Sequence, residues 1–414
     1  MWGLTAKKVL FIYDFNVPSM RTTTREHLFA FQKYCPIAVD YVNLACQPLP
    51  PAHQLQSYDL MVFHYLFLTH RWGGRESFWL TANKAAALRC TPAVKVILPQ
   101  DEFFHADLLC EFVNHFDVDC IFSVAPPSEW ERIYRAVDLT KVKIRQVLTG
   151  YIDDAMVPRV CALAAAEPVR SIDIGYRTAG KPYFWFGRHG YLKQTIADLV
   201  NQHGPKWGLR LDVSTSNEDT ILGDDWYRFL LRCKYTIGVE SGTSVLDWDG
   251  EVHRKTDAFV AKHPAATFEE VEAACFPGLD GKTKLYAIGP RHLEASLTRT
   301  CQILTEGDYN GILRPHEHYI PVRRDFGNLD EVLAALQTRD SQSMVEKAYR
   351  DVVASGRYTY RSFVEYVVEE SLKCPKKHVR LSDRLRSAVR RAGMRTRHFV
   401  GRVLQRAWRI GARR

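Results

Sequence analysis

Short apolar runs alternate with stretches of helical spacing along most of this chain. In the first half, KKVLFIYDF (7–15), AVDYVNL (38–44), DLMVFHYLF (59–67), VKVILPQ (94–100) and CIFSV (120–124) read as strands. Helical spacing falls between them at 25–34, 76–89 and 105–116. Several runs are apolar throughout, the pattern of a parallel strand covered on both faces. A looser segment with prolines and the run CALAAAEPV follows, and the alternation then restarts. PYFWFG (182–187), GLRLDVSTS (208–216), KYTIGVE (234–240) and 302–304 read as strands. The spacing predicts helices over 191–202, 224–233, 268–275, 292–300, 329–337 and 343–355, with a polar, Gly-containing loop ending at His318-Tyr-Ile-Pro321.

Strand–helix alternation of this kind predicts an α/β fold of two doubly wound, Rossmann-like domains facing each other across a cleft. The length of 414 residues suits two domains. They are expected at 1–155 and 173–372, joined by a linker at 156–172 and followed by a tail at 373–414. With 46% hydrophobic and 25% charged residues the chain reads as folded and globular. Lys7 and Lys8 precede an apolar run that ends at Asp14, too short for a signal peptide, so the expected location is the cytoplasm. The ten cysteines include no C-x-x-C pair, and no metal or other cofactor is expected.

The net charge of +9 is unevenly placed. Residues 376–414 hold fourteen Lys/Arg against Asp383 alone, a local +13 that leaves −4 for 1–375. Leu381, Leu385, Val389, Ala392, Phe399, Val403 and Leu404 recur there at helical intervals among arginines. That is the pattern of a cationic amphipathic helix at an anionic membrane surface, which would make the protein peripheral at the inner face of the membrane. Nucleic-acid binding and a solvated tail are the competing uses of this charge; with few aromatics in the tail and an acidic body, no nucleic-acid partner is expected.

Open α/β sheets bind ligands beyond the carboxyl ends of their strands, so residues just after strands are the candidates for chemistry. Gly187, Arg188, Gly190 and Lys193 after PYFWF combine close backbone approach, cations and a helix N-terminus, as a phosphate cradle needs. A tight turn with a solvated arginine explains the same residues. Gly238, Glu240, Ser241 and Gly242 follow the next strand and suit a diphosphate or sugar. Asp247 and Asp249 pose a divalent-cation site or a turn closed by Asp-Gly. Glu294 opens a helix, where it can accept ribose or sugar hydroxyls or simply favour the first turn. Asp101 and Glu102, after VKVILPQ, pose a general base for an acceptor hydroxyl or an N-cap. His64 reads as a core residue.

The segments KVILPQDEF, SIDIGYR with YFWFGRHGYLK, CKYTIGVESGTSVLDWDG, and RHLEASLTRTCQILTEGDYNGILRPHEHYIPVRRDFGNLDEVLAAL resemble a bacterial group of GT-B glycosyltransferases. The group is that of surface-polysaccharide enzymes related to the spore-maturation (CgeB-like) type. The resemblance implies a hexosyltransferase-like enzyme with a nucleotide-sugar donor in the second domain, a glycan or lipid-linked acceptor in the first, and no bound metal. It implies Glu294 near the donor ribose or sugar and Arg188 and Lys193 near the diphosphate. It also places Tyr309 and Gly311 in the donor site, and Asp101 or Glu102 on the acceptor side. The relatives begin the helix with Phe-Glu-Ala-x-Ala, where this chain has His292-Leu293-Glu294-Ala295-Ser296. The rival classes are a non-catalytic sugar- or nucleotide-binding protein of the same fold and a nucleic-acid-binding protein acting through the tail.

Overall fold

The computed structural model describes residues 7–375 apart from 17–19, 168, 179 and 181–182, so all but the first three residues of the tail expected at 373–414 lie outside the described residues. The first sheet comprises β1 (Lys8–Tyr13), β2 (Ala38–Asn43), β3 (Leu60–His64), β4 (Val94–Leu98), β5 (Cys120–Ser123) and β6 (Lys143–Gln146). All are parallel, in the order β2-β1-β3-β4-β5-β6. Between them run α1 (Thr22–Tyr34), the single turns α2 (Ala52–Leu55) and α3 (Tyr65–Leu68), α4 (Gly74–Lys84), α5 (Ala106–Phe116) and α6 (Trp130–Ile133). Leu10 and Ile12 join Met61, Phe63 and Ile97 on one face of the sheet. Val9 and Phe11 join Val62, Val96 and Phe122 on the other, and helices cover both. Burial on two sides is why these strands are almost wholly apolar.

The second half holds α7 (Met156–Ala166), β7 (Ile172–Arg177), α8 (Gly187–His203), β8 (Leu211–Ser214), α9 (Asp224–Arg232) and β9 (Cys233–Gly238). There follow β10 (Ser241–Thr243), α10 (Glu251–Lys262), α11 (Phe268–Cys275), β11 (Leu285–Ala287), α12 (Pro290–Leu297), β12 (Cys301–Thr305) and β13 (Tyr319–Val322). The helices α13 (Leu329–Ala335), α14 (Gln342–Ala348) and α15 (Tyr360–Leu372) end the described chain. The second sheet is parallel in the order β13-β12-β9-β7-β8, and β10 pairs with β11 as an antiparallel ribbon. The fold is therefore α/β, with two Rossmann-like sheets facing across a cleft. Each sheet reverses its strand order once, between β1 and β3 and between β7 and β9, and such a reversal opens a crevice.

Several elements differ from their sequence reading. PYFWFG is not a strand: Phe184–Phe186 form a tight helical turn. Trp185 is buried there among Phe104, Phe103 and Trp72 of the first domain, so aromatic burial at the domain junction produced the apolar run. The strand is Ile172–Arg177, whose first residue had been assigned to the linker; Met156–Ala166 of that linker is helical. DLMVFHYLF stops being a strand at His64, whose Nδ1 accepts from Leu66 N (3.2 Å) and starts a helical turn. Residues 319–322, read within a loop, form an edge strand on β12.

The last helix, α15, belongs by sequence to the second domain's span but packs on the first sheet. Phe363, Val364 and Val367 lie in the same apolar cluster as Phe31 and Val94. The two passes between domains pair with each other, Tyr360 N donating to Ile152 O (3.0 Å) and Ile152 N to Tyr358 O (2.9 Å). No helix among the described residues is long and apolar enough to cross a membrane.

Phe363 is 2% exposed and stacks on Tyr151 at 4.6 Å. Phe363→Ala should destabilise the protein by about 3–5 kcal/mol, the usual result of truncating a buried phenylalanine. Glu365→Ala, on the exposed face of the same helix, should leave thermal unfolding nearly unchanged. Equal melting temperatures for the two variants would show that α15 does not clamp the first domain.

Candidate functional site

Four hollows that share lining residues form a continuous cleft between the sheets. The central one, about 260 Å³, lies at the strand reversal of the second sheet and is lined by Tyr176 and Thr178 from the end of β7, Gly238 and Ser241 after β9, and Lys193. The N-terminus of α12 closes it with Gly289, Arg291 and His292. Burial holds the His292 imidazole neutral, its pKa near 4, and its Nδ1 accepts the Gly289 N–H at 3.0 Å. Lys193 has no carboxylate partner among the described residues. Burial and the nearby Arg291 lower its pKa to about 8. A half-buried ammonium beside a helix N-terminus attracts an anion, because the protein itself has not neutralised it.

A second hollow of about 260 Å³ shares Trp226 and Arg291 with the first and contains Glu294. Glu294 Oε2 accepts from Trp226 Nε1 at 2.7 Å, and the Arg291 guanidinium donates to Arg177 O across the mouth. Burial raises the Glu294 pKa, with the Trp226 hydrogen bond and Arg291 opposing it. Glu26, from α1 of the first domain, faces the same hollow.

On the first-domain side, Asp101 lines two further hollows of about 90 and 360 Å³. Its backbone is left-handed, φ 53°, and its carboxylate accepts no hydrogen bond among the described residues. The fully buried Arg71 fixes the loop, donating to the carbonyls of Asp101 (2.6 Å), Phe104 (2.9 Å), Leu68 (3.0 Å) and Gln100. Glu102 lies beside Asp101 but is occupied. Its oxygens accept from Ser123 Oγ (2.6 Å), Tyr134 OH (2.6 Å), Val124 N (2.8 Å) and Ala125 N (3.2 Å). A carboxylate saturated by four donors is a poor proton acceptor, so Glu102 is a structural partner of the loop after β5.

Ser241 and Gly242 line the cleft. Gly242 has φ 116°, and a Cβ there would lie 1.8 Å from Leu285 O, so the ribbon closes only with glycine.

Seven other sequence candidates fall elsewhere. Arg188 lines none of the four hollows. Its guanidinium meets Glu269 (2.9 Å), Glu272 (3.0 Å) and Asp280 (3.4 Å) on the surface. Gly187 packs under Asp280 and Ser244, and Asp280 accepts the Arg188 N–H at 3.1 Å. A protein carboxylate thus fills the anion position expected at the start of α8. Glu240 is buried and caps the turn at Tyr309 N (2.9 Å). Tyr309 is wholly buried, donating to Thr305 O at 2.7 Å, and Gly311 serves the same turn at φ 67°. Asp247 accepts from Val252 N and His253 N at the start of α10, and Asp249 from Glu251 N, which is the turn reading of that pair.

Among solved structures, the chain is similar to Anabaena Alr3699/HepE in complex with UDP and glucose (TM-score 0.48, 11% identity, 88% of this chain and 99% of that one). It is also similar to sucrose-phosphate synthase from Thermosynechococcus elongatus (TM-score 0.42, 12% identity, 88% and 98%). A third is AviGT4, a glycosyltransferase involved in avilamycin A biosynthesis (TM-score 0.39, 10% identity, 88% and 97%). The likeness is one of chain arrangement and says nothing of ligand or reaction. No family model matches the sequence, and no curated protein matches it.

Glu26 and Trp226 carry no motif, and only the fold brings them to Arg291. Burial, then Asp153 and Glu294, push the Glu26 pKa up to about 7, against Lys33. An unfolded glutamic acid titrates near about 4.3, so the folded protein holds this proton more tightly and loses stability as pH rises towards about 7. Glu26→Gln should therefore raise the melting temperature more at pH 8 than at pH 5. An equal shift at both values would show that Glu26 does not titrate in this environment.

Proposed function

We propose that the chain is a glycosyltransferase that moves a sugar from a nucleotide donor on the second domain to an acceptor hydroxyl presented by the first. One observation carries the reading: Lys193, unneutralised by any carboxylate among the described residues, faces a hollow at the strand reversal of the second sheet beside the N-terminus of α12. A diphosphate suits that position on charge and hydrogen-bonding grounds. Arg291 adds a second cation, and Glu294, one hollow away, accepts hydroxyls of the donor's pentose or sugar. The finer kinship with CgeB-like surface-polysaccharide enzymes is supported by the sequence segments quoted above.

Asp101 is the proposed base. Its carboxylate takes the proton of the acceptor hydroxyl as that oxygen bonds to the anomeric carbon. The bond from that carbon to the diphosphate oxygen breaks, and the electron pair leaves with the diphosphate, whose charge Lys193 and Arg291 stabilise. The charge and spacing of 376–414 support a tether at an anionic lipid surface, where a lipid-linked acceptor would be presented.

A thermal-shift screen of nucleoside diphosphates and their sugars should show stabilisation by at least one of them. Lys193→Ala should weaken that ligand about tenfold or more, while Arg188→Ala should stay within about twofold, since its exposed ion pairs lie outside all four hollows. Asp101→Asn should keep donor binding and lower transfer by about 10²–10⁴-fold. Failure of every nucleoside diphosphate to bind, or equal losses in the Lys193 and Arg188 variants, overturns the donor assignment. Truncation after Pro375 should abolish co-sedimentation with phosphatidylserine vesicles and leave donor binding intact; unchanged co-sedimentation would remove the tether.

A further inference from the structure

The largest of the four hollows, about 360 Å³, has an aromatic wall that donor binding does not use. Trp72 and Phe103 come from the first domain, Tyr183 and Phe186 from the second. The rings are in mutual contact, Trp72 to Phe103 at 6.2 Å, Phe103 to Phe186 at 5.2 Å and Tyr183 to Phe186 at 5.3 Å. Trp72 and Tyr183 are nonetheless 36% and 57% exposed. Trp207 and Tyr366 are exposed to a similar degree elsewhere, but Trp72 and Tyr183 open onto the cleft as part of a run of touching rings, and a grouped aromatic face of that kind marks a binding surface. The remaining lining is polar, with Asp101, Gln194, Thr178 and Thr243 among it.

We infer that this hollow is the acceptor subsite and that the acceptor unit it receives is a pyranose ring of a glycan. A pyranose has an apolar C–H face and a rim of hydroxyls. The aromatic rings cover the first, and the flanking hydroxyl, amide and carboxylate groups take the second. A lipid chain would want a continuous aliphatic lining and would leave those polar groups without partners. Position supports the assignment. Arg71 immediately precedes Trp72 and bonds the carbonyls of Gln100 and Asp101, so one buried cation sets the ring and the proposed base relative to each other. Lys193 and Ser241 line both this hollow and the central one, so a sugar stacked on the wall lies next to the proposed diphosphate position.

This inference rests on the transferase reading for its role but is tested separately from it. Saturation-transfer-difference NMR on the full chain, with a panel of methyl hexopyranosides and disaccharides and with decyl phosphate as the lipid-like probe, reads the subsite directly. At least one pyranoside should receive saturation on its C–H face, and Trp72→Ala and Tyr183→Ala should each weaken it about tenfold. Tyr183 is exposed enough that its substitution should not threaten folding, and the thermal shift given by a nucleoside diphosphate should persist in both variants. Pyranoside binding unchanged in both variants overturns the inference, as does absence of any pyranoside signal from the unaltered protein or signal from decyl phosphate alone. Loss of the nucleotide response with pyranoside binding retained would sink the donor reading and leave the subsite standing.

Discussion

Burial of the Arg71 guanidinium is the constraint from which the first-domain face of the cleft follows. A charge removed from water costs several kcal/mol unless its donors are satisfied. Here they are satisfied by backbone carbonyls of Leu68, Gln100, Asp101 and Phe104, not by an ion pair. Carbonyl acceptors belong to the chain itself, so satisfying Arg71 fixes the path of two loops at once. One loop carries Trp72. The other holds Asp101 in a left-handed backbone that a non-glycine residue seldom adopts, and such strain persists only where the surroundings over-determine it. The aspartate carboxylate is thereby presented to the cleft without a hydrogen-bond donor among the described residues, while its neighbour Glu102 is consumed by four donors.

The second sheet shows the same logic applied to cations. Arg188 and Lys193 lie on the same helix and look alike in sequence, yet their surroundings give them opposite roles. Arg188 is ringed by Glu269, Glu272 and Asp280, and its charge is spent within the protein. Lys193 is half-buried with no carboxylate beside it among the described residues, and its lowered pKa registers an unmet electrostatic demand. A site for an anionic ligand is recognised by that demand, because a neutralised cation has nothing left to offer.

The sequence made the fold legible because burial on both faces of a parallel strand leaves an unmistakable apolar run, as at 94–98 and 120–123. It misled where apolar residues were buried for another reason. The aromatic run 183–186 serves the domain junction, whereas the true strand Ile172–Arg177 is interrupted by Asp173 and Gly175. Asp173 is kept there by Arg210 and Lys234, and Gly175 leaves room for the Cys233 and Phe229 side chains. Of the candidate site, residues directly after strands were legible, including Asp101, Ser241 and Gly242. Glu240 obeys the same positional rule, but its side chain turns inward to accept from Tyr309 N while the Tyr309 hydroxyl donates to Thr305 O, and nothing in their spacing announces it. Glu26 was invisible, since it reaches the cleft from the far domain.

Glu26 shows how the two domains are coupled electrostatically as well as by packing. It and Glu294 come from helices of different domains and face one hollow, and burial raises the pKa of each. Two carboxylates in a shared, poorly solvated space do not both ionise without cost, so a proton or a cationic or hydroxyl-bearing ligand between them relieves the repulsion. The apolar cluster around Trp185 and the return of α15 to the first sheet hold the domains together regardless of ligand. The carboxylate pair adds a component that depends on what occupies the cleft. A ligand whose hydroxyls donate to Glu294 favours its ionised form and transfers the burden of the shared proton to Glu26.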